Sequence, residues 1–140
     1  MITDIFQLRP LYGEVDQMGY VYHANYVIYC HKARNELLRK FGIDEVVLEN
    51  NDIILPVISF NINYKKPAHF DELISIKTSI SEMPHTRFNF EFDIRNEQNT
   101  LLIKAESTVV FADKQSRRPK RIPEFIKNKL NSEFRSLEHY

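Results

Sequence analysis

The run Tyr12-Gly13-Glu14-Val15-Asp16-Gln17-Met18-Gly19-Tyr20-Val21-Tyr22-His23-Ala24-Asn25-Tyr26 concentrates an acid, a glycine turn, a histidine and a helix start. A carboxylate in a glycine-containing loop before a helix can take a proton from water or attack an activated carbonyl, and positive potential at the helix start keeps it ionised. Asp16 is therefore read as a base or a nucleophile. Backbone N–H groups at the same helix start, around His23 and Ala24, can stabilise the oxyanion that forms when a carbonyl is attacked. Gly19 supplies the permissive backbone needed to fold the loop over itself, so a bulky residue there is expected to distort the site.

Each of these residues also has a plainer use. An acid before a helix serves as a cap or a loop residue. The ring of His23 can be a hydrogen-bonded structural group, which makes its N–H the stronger reading. Tyr12, four residues before Asp16, can hydrogen-bond the acid or the substrate, or pack as a core aromatic. Spacing alone leaves these roles open.

Other chemistries find little support. His23 and His31 are eight residues apart, the remaining histidines are scattered and the one cysteine lies inside a helix, so no metal site and no cofactor are expected. There is no glycine-rich phosphate loop and no serine in a nucleophile-elbow sequence. Cys30 falls on an apolar stripe and reads as an inert, packed thiol.

The elements that must hold the loop follow from periodicity. Residues 5–12 form a short opening segment, read as a strand. Tyr26, Cys30, Ala33, Leu37 and Phe41 make one helical stripe, with Asn25 to cap the start and Gly42 to end it in a left-handed conformation. After a linker at 43–52 the period becomes that of strands. Ile58, Phe60, Ile62 and Tyr64 alternate with polar residues, as do Ile74 to Ile80 and Phe88 to Ile94, each run with one buried face. Leu101 to Ala112 adds a further strand with Lys104 and Glu106 on an outward side. Turns at Met83-Pro84-His85 and Asn96-Glu97-Gln98-Asn99 make the last three runs antiparallel neighbours. Residues 113–122 read as an exposed basic linker, and Phe125, Ile126, Leu130, Phe134 and Leu137 as a short terminal helix within 123–140. An antiparallel sheet with one apolar face needs a cover, which the long helix provides, so the fold class is α+β: a curved sheet wrapped on a central helix.

At 140 residues and 43% hydrophobic content, residues 1–140 are expected to form a single domain. Nineteen basic residues balance nineteen acidic ones, so no net field draws the chain to nucleic acid or an anionic membrane. The start Met1-Ile2-Thr3-Asp4 lacks a basic stretch followed by an apolar run, no membrane span is legible, and a lone cysteine suits a reducing compartment. A cytoplasmic location is expected.

The run from Val15 to Tyr26, followed by Ala33-Arg34-Asn35-Glu36-Leu37-Leu38, resembles the acyl-CoA thioesterases of the hotdog fold, in the 4-hydroxybenzoyl-CoA thioesterase-like branch that includes the Tol-Pal-associated thioesterases. A second family-like segment, Ile62-Asn63-Tyr64-Lys65-Lys66-Pro67-Ala68-His69-Phe70-Asp71-Glu72-Leu73, follows the helix where expected, and the resemblance covers residues 5–112. It implies that Asp16 is the catalytic carboxylate, that an N–H near His23 supplies the oxyanion contact, and that the His23 ring and Tyr12 take part. Glu14 stands where many members carry a second aspartate.

The resemblance also implies a homodimer joined edge to edge, often paired into a homotetramer, with the active site between subunits. Basic residues would hold the nucleotide end of CoA, for which Lys65, Lys66, Arg87 and Arg118 within the Arg117 to Arg121 cluster are candidates. The expected activity is hydrolysis of an acyl-CoA thioester. The alternatives are a hotdog protein that binds acyl groups or acyl carrier protein without turnover, and a hotdog enoyl-CoA hydratase or dehydratase.

Overall fold

The computed structural model describes the backbone of residues 1–138 and the side chains of residues 1–134, so Leu137's side chain and the last two positions of the expected terminal helix lie outside the described residues. Strand β1 spans Ile2–Leu8 and ends before Pro10, which has no N–H to continue a ladder. The expected strand over residues 5–12 is therefore displaced toward the N-terminus, and Tyr12–Glu14 forms a 3-10 turn instead.

Helix α1 covers Asn25–Lys40. Its apolar stripe is buried through Tyr26, Cys30, Ala33 and Leu37. Gly42 ends it at a φ of 74°, with its N–H donating to the Arg39 carbonyl at 2.9 Å. The cap is a correction. Ala24 occupies the N-cap position without a side-chain cap, and the Asn25 side chain donates through Nδ2 to the Glu14 carbonyl at 2.9 Å. Asn25 thus ties the loop to the helix.

The segment 43–52, expected as a linker, contains helix α2, Glu45–Asn50, capped by the Asp44 carboxylate, which accepts the Val47 N–H at 2.9 Å. Strands follow as β2 (Ile53–Ile54), β3 (Val57–Tyr64), β4 (Ile74–Ile80), β5 (Arg87–Arg95), β6 (Leu101–Val110) and β7 (Ala112–Asp113). The final helix, α3, spans Glu124–Glu138 and buries Ile126 and Leu130. The main sheet has the order β1-β4-β5-β6-β3, and β2 pairs with β7 in a small second sheet. All strand pairs are antiparallel, including the expected β4-β5-β6 run. The expected strand Leu101 to Ala112 is split, because β7 leaves β6 to pair with β2.

Helix α1 packs over β1 and β4. The inward side chains of β4 and β5, including Ile76, Phe88, Phe90 and Phe92, are fully buried against it and its neighbours. Strand β3 departs from the expectation of a buried face. Phe60 and Ile62 are only partly covered, while Ile58 and Tyr64 are each 50% exposed. The helix lies toward the other edge of the sheet, which leaves β3, paired with β6 on one side, as an edge strand with exposed apolar residues. The basic stretch at 113–122 is a hydrogen-bonded turn: Asp113 N–H donates to Arg118 O at 2.9 Å, Lys120 N–H donates to Phe111 O at 2.8 Å, and Arg117 adopts a φ of 64°.

Candidate active site

The loop between the 3-10 turn and α1 is fixed from both sides. Tyr22 N–H and the Asn25 side chain both donate to the Glu14 carbonyl at 2.9 Å. From the opposite side, the segment before β4 clamps it: Val21 N–H donates to Ala68 O at 2.9 Å, and Phe70 N–H to Gly19 O at 3.2 Å. The second family-like segment is thus the loop's structural support.

Asp16 sits at the centre of this arrangement. Its Oδ1 accepts the N–H groups of Met18 at 2.9 Å and Tyr20 at 3.2 Å, and its backbone N–H donates to Tyr20 O at 2.8 Å. Its Oδ2 accepts no hydrogen bond from the described residues. One carboxylate oxygen is therefore anchored while the other stays free, an arrangement suited to a base or nucleophile held at a defined angle. Gly19 turns the loop at a φ of 80° and donates its N–H to Asp16 O at 3.0 Å. A Cβ added there meets nothing within 4 Å, so the constraint at Gly19 is the backbone angle, the permissive backbone read from the sequence, and not lack of space.

A groove of about 570 Å³ opens beside Asp16, lined also by Tyr20, Val21, His23, Tyr26 and Tyr64. Lys65 and Lys66 stand at its rim, their N–H groups converging on Leu102 O at 2.8 and 3.1 Å. The backbone amides of His23 and Ala24 have no hydrogen-bond partner among the described residues, as expected just before a helix. His23 lines the groove and Ala24 stands beside it in the N-cap position. The His23 ring lies 4.5 Å from the Tyr22 ring and edge-on to Tyr64 at 6.3 Å, and the Tyr64 hydroxyl donates to the His23 carbonyl at 3.3 Å.

Other candidates stand farther off. Tyr12 is 79% exposed, packs edge-on against Phe70 at 5.6 Å and does not line the groove. The Glu14 carboxylate accepts the Leu11 N–H at 2.7 Å and the Tyr29 hydroxyl at 3.0 Å. Arg87 is paired with Val110 and Tyr64 with Ile103, so Arg87 lies about 23 Å along β6 from the Lys65 end, at roughly 3.3 Å per residue. Arg118, in the turn after β7, lies toward that same far end. Cys30 is fully buried, and burial alone pushes its thiol up to about 12. Among the described residues no cluster of His, Cys, Asp or Glu has the arrangement of a metal site, and no helix is long and apolar enough to cross a membrane.

Tyr26 belongs to the site although its helical spacing assigns it to the core. Its side chain is 2% exposed, lines the groove, and accepts the Ala68 N–H on its hydroxyl oxygen at 3.0 Å. That bond uses the oxygen as acceptor and leaves the O–H free to donate toward the groove. Burial raises its pKa, the Ala68 N–H opposing, so it stays a donor through neutral pH.

Known proteins resemble this chain in sequence and in fold. A family model described as the thioesterase-like superfamily matches residues 10–130. The chain is 34% identical over 128 residues to the acyl-CoA thioester hydrolase YbgC of Escherichia coli O6:H1, covering 90% of this chain and 96% of that protein. It is 32% identical over 124 residues to the acyl-CoA thioesterase YbgC of Haemophilus influenzae, covering 87% and 90% of the two chains. Among solved structures, it is similar to a DHNA-CoA thioesterase from Staphylococcus aureus, with a TM-score of 0.87, 27% identity and coverage of 99% and 95%.

Proposed function

Because this chain belongs to the thioesterase-like superfamily, we propose that it hydrolyses an acyl-CoA thioester to the free acid and CoA. The observation that carries the reading is the free Oδ2 of Asp16 in one groove with the unpartnered amide of His23. Asp16 takes a proton from water as the water attacks the thioester carbonyl, or attacks that carbon itself to give a mixed anhydride that water then opens. In both routes the carbonyl oxygen gains negative charge, and the His23 N–H at the positive end of α1 donates to it. Collapse expels the CoA thiolate, a good leaving group, so a sparse set of groups suffices. The ring of His23 and the hydroxyls of Tyr12 and Tyr26 are supporting candidates. Single-turnover reaction in heavy-oxygen water tests the anhydride route: label in the Asp16 carboxylate marks an anhydride that water opens at the aspartyl carbon, whereas label in the product acid alone is common to direct attack by water and to an anhydride opened at the acyl carbon.

The groove reaches Tyr64 at the end of β3, and on that edge strand Ile58 and Tyr64 are half exposed. We infer a homodimer, able to pair into a tetramer, in which two β3 edges meet antiparallel. That pairing brings the far end of the second copy's sheet, with Arg87 and Arg118, toward Lys65 and Lys66, and gathers the basic residues for the nucleotide end of CoA. A cytoplasmic location fits a CoA substrate.

The test is thiol release from a panel of short, long and aromatic acyl-CoAs. Turnover of at least one is expected. A protein that melts higher with acyl-CoA or acyl carrier protein yet releases no thiol is a binder instead, and hydration of an enoyl-CoA would point to the hydratase alternative.

A further inference from the structure

A second cavity, of about 300 Å³, lies between α1, α2 and β2, away from the groove. Its volume is at the lower end of the range for small-molecule pockets, roughly 300–1,000 Å³. Arg34 lines it from α1, eleven positions after His23 and so about 16 Å farther along the helix axis at roughly 1.5 Å per residue.

Arg34 is 7% exposed and, among the described residues, has no carboxylate within ion-pairing distance. Its Nε and Nη2 donate to the neutral Asn35 Oδ1, at 3.3 and 3.1 Å, and Nη1 has no partner among the described residues. The acids around the cavity are otherwise engaged. Glu45 accepts from Asn35 Nδ2 at 3.2 Å, Asp44 caps α2, and Glu49 pairs with Lys114 at 3.1 Å. A guanidinium buried without a counter-ion is costly unless an anion reaches it. Burial lowers the Arg34 pKa, and the charge of Glu45 opposes that fall without contact. Arg39 and Lys114 also line the cavity, each paired with a glutamate, Glu36 at 3.4 Å and Glu49 at 3.1 Å, and the apolar part of the wall is made by Leu38, Ile43, Leu48, Ile53 and Leu55.

We propose that this cavity binds a monocarboxylate with an apolar body, its carboxylate accepting from Arg34 Nη1 and its body packed against Leu38, Ile43, Leu48, Ile53 and Leu55. The acid released by thioester hydrolysis is of this chemical class, but the site rests on Arg34 and stands whether or not Asp16 is catalytic.

Octanoate is the probe, titrated into the full chain and followed by methyl NMR and calorimetry. Millimolar or tighter binding is expected, with the methyl signals of Ile43 and Ile53 shifting and Val21 in the groove unmoved. Arg34→Met, which keeps the volume and removes the charge, weakens binding on the order of tenfold or more, equivalent to one lost charged contact. Asp16→Asn leaves it unchanged, and octanamide binds at least tenfold more weakly than octanoate. The proposal is overturned if octanoate does not bind, if octanamide binds equally well, or if the shifts appear at Val21 instead of Ile43 and Ile53. The NMR on the unaltered chain decides the matter even where Arg34→Met does not fold.

Discussion

Tyr29 donates its hydroxyl to Glu14 at 3.0 Å, linking the turn before Asp16 to the buried face of α1. The same carboxylate accepts the Leu11 N–H at 2.7 Å, so Glu14 acts on the loop's position. Tyr29→Phe is expected to lower stability by about 1–2 kcal/mol and Glu14→Ala by about 2–3 kcal/mol, with the two effects coupled in a double-mutant cycle. Urea denaturation measures both. Unchanged stability in Glu14→Ala together with lost turnover would place Glu14 on the substrate instead.

Gly19 holds a φ of 80° with open space where a side chain would go. Gly19→Ala is expected to cost about 1 kcal/mol and Gly19→Val more, because only the backbone angle is penalised. Gly19→Asn should be milder, since asparagine visits this region more readily. The expected order for both melting temperature and kcat is Gly, Asn, Ala, Val; a Val variant as active as the parent contradicts it.

Lys65 and Lys66 line the groove in the same chain, whereas Arg87 would reach it from the second copy of the proposed dimer. Lys65→Ala with Lys66→Ala is expected to raise KM for acyl-CoA by roughly tenfold at low salt and by less at high salt, with kcat nearly unchanged. Acyl-pantetheine, which lacks the nucleotide, should show no such effect. Arg87→Ala should raise the same KM severalfold; no change there removes the second copy from nucleotide binding.

Three buried groups make stability fall in alkali. Burial is the largest cause of the raised pKa at Tyr26, Tyr29 and Cys30, and Glu14 adds to it at Tyr29. On unfolding, Cys30 returns to its ordinary value of 9.0 and the tyrosines to 10.0, so the unfolded chain loses protons first as pH rises. Their contribution is fully present at neutral pH and is lost progressively above 9 for Cys30 and above 10 for the tyrosines. Melting temperature should decline across that interval, and Cys30→Ala should delay the onset. Native Cys30 should also resist thiol reagents until denaturant is added.

Much of this was legible in the sequence, for identifiable reasons. The stripe from Tyr26 to Leu37 and the alternation in β4 and β5 are local periodicities, and local periodicity survives folding. The placement of Asp16 beside the start of α1 is legible because its glycine turn and the helix start are adjacent in sequence. The alternation in β3 is also correct, yet its apolar residues stay partly or half exposed because α1 lies toward the other edge of the sheet, a placement that no local pattern announces. The link between Glu14 and Tyr29 spans fifteen positions and joins a loop to a helix, so nothing local announces it. Tyr26 was masked by its own spacing, since one residue serves both the stripe and the groove. Asp44, an N-cap residue type directly before Glu45-Val46-Val47-Leu48, is the local signal for α2, which the expectation of a linker over 43–52 leaves out.

The account rests most heavily on Asp16, and its isostere isolates the chemistry. In Asp16→Asn the side-chain oxygen can still accept the Met18 and Tyr20 amides, so the loop should keep its shape while the free Oδ2 is replaced by an amide nitrogen. The decisive measurement is kcat for thiol release by this variant on the best acyl-CoA of the panel, with melting temperature and CoA affinity measured alongside. A fall of about 10²–10⁴-fold with both controls unchanged is predicted. Turnover within about twofold of the parent, well below any general acid–base contribution, would contradict the assignment.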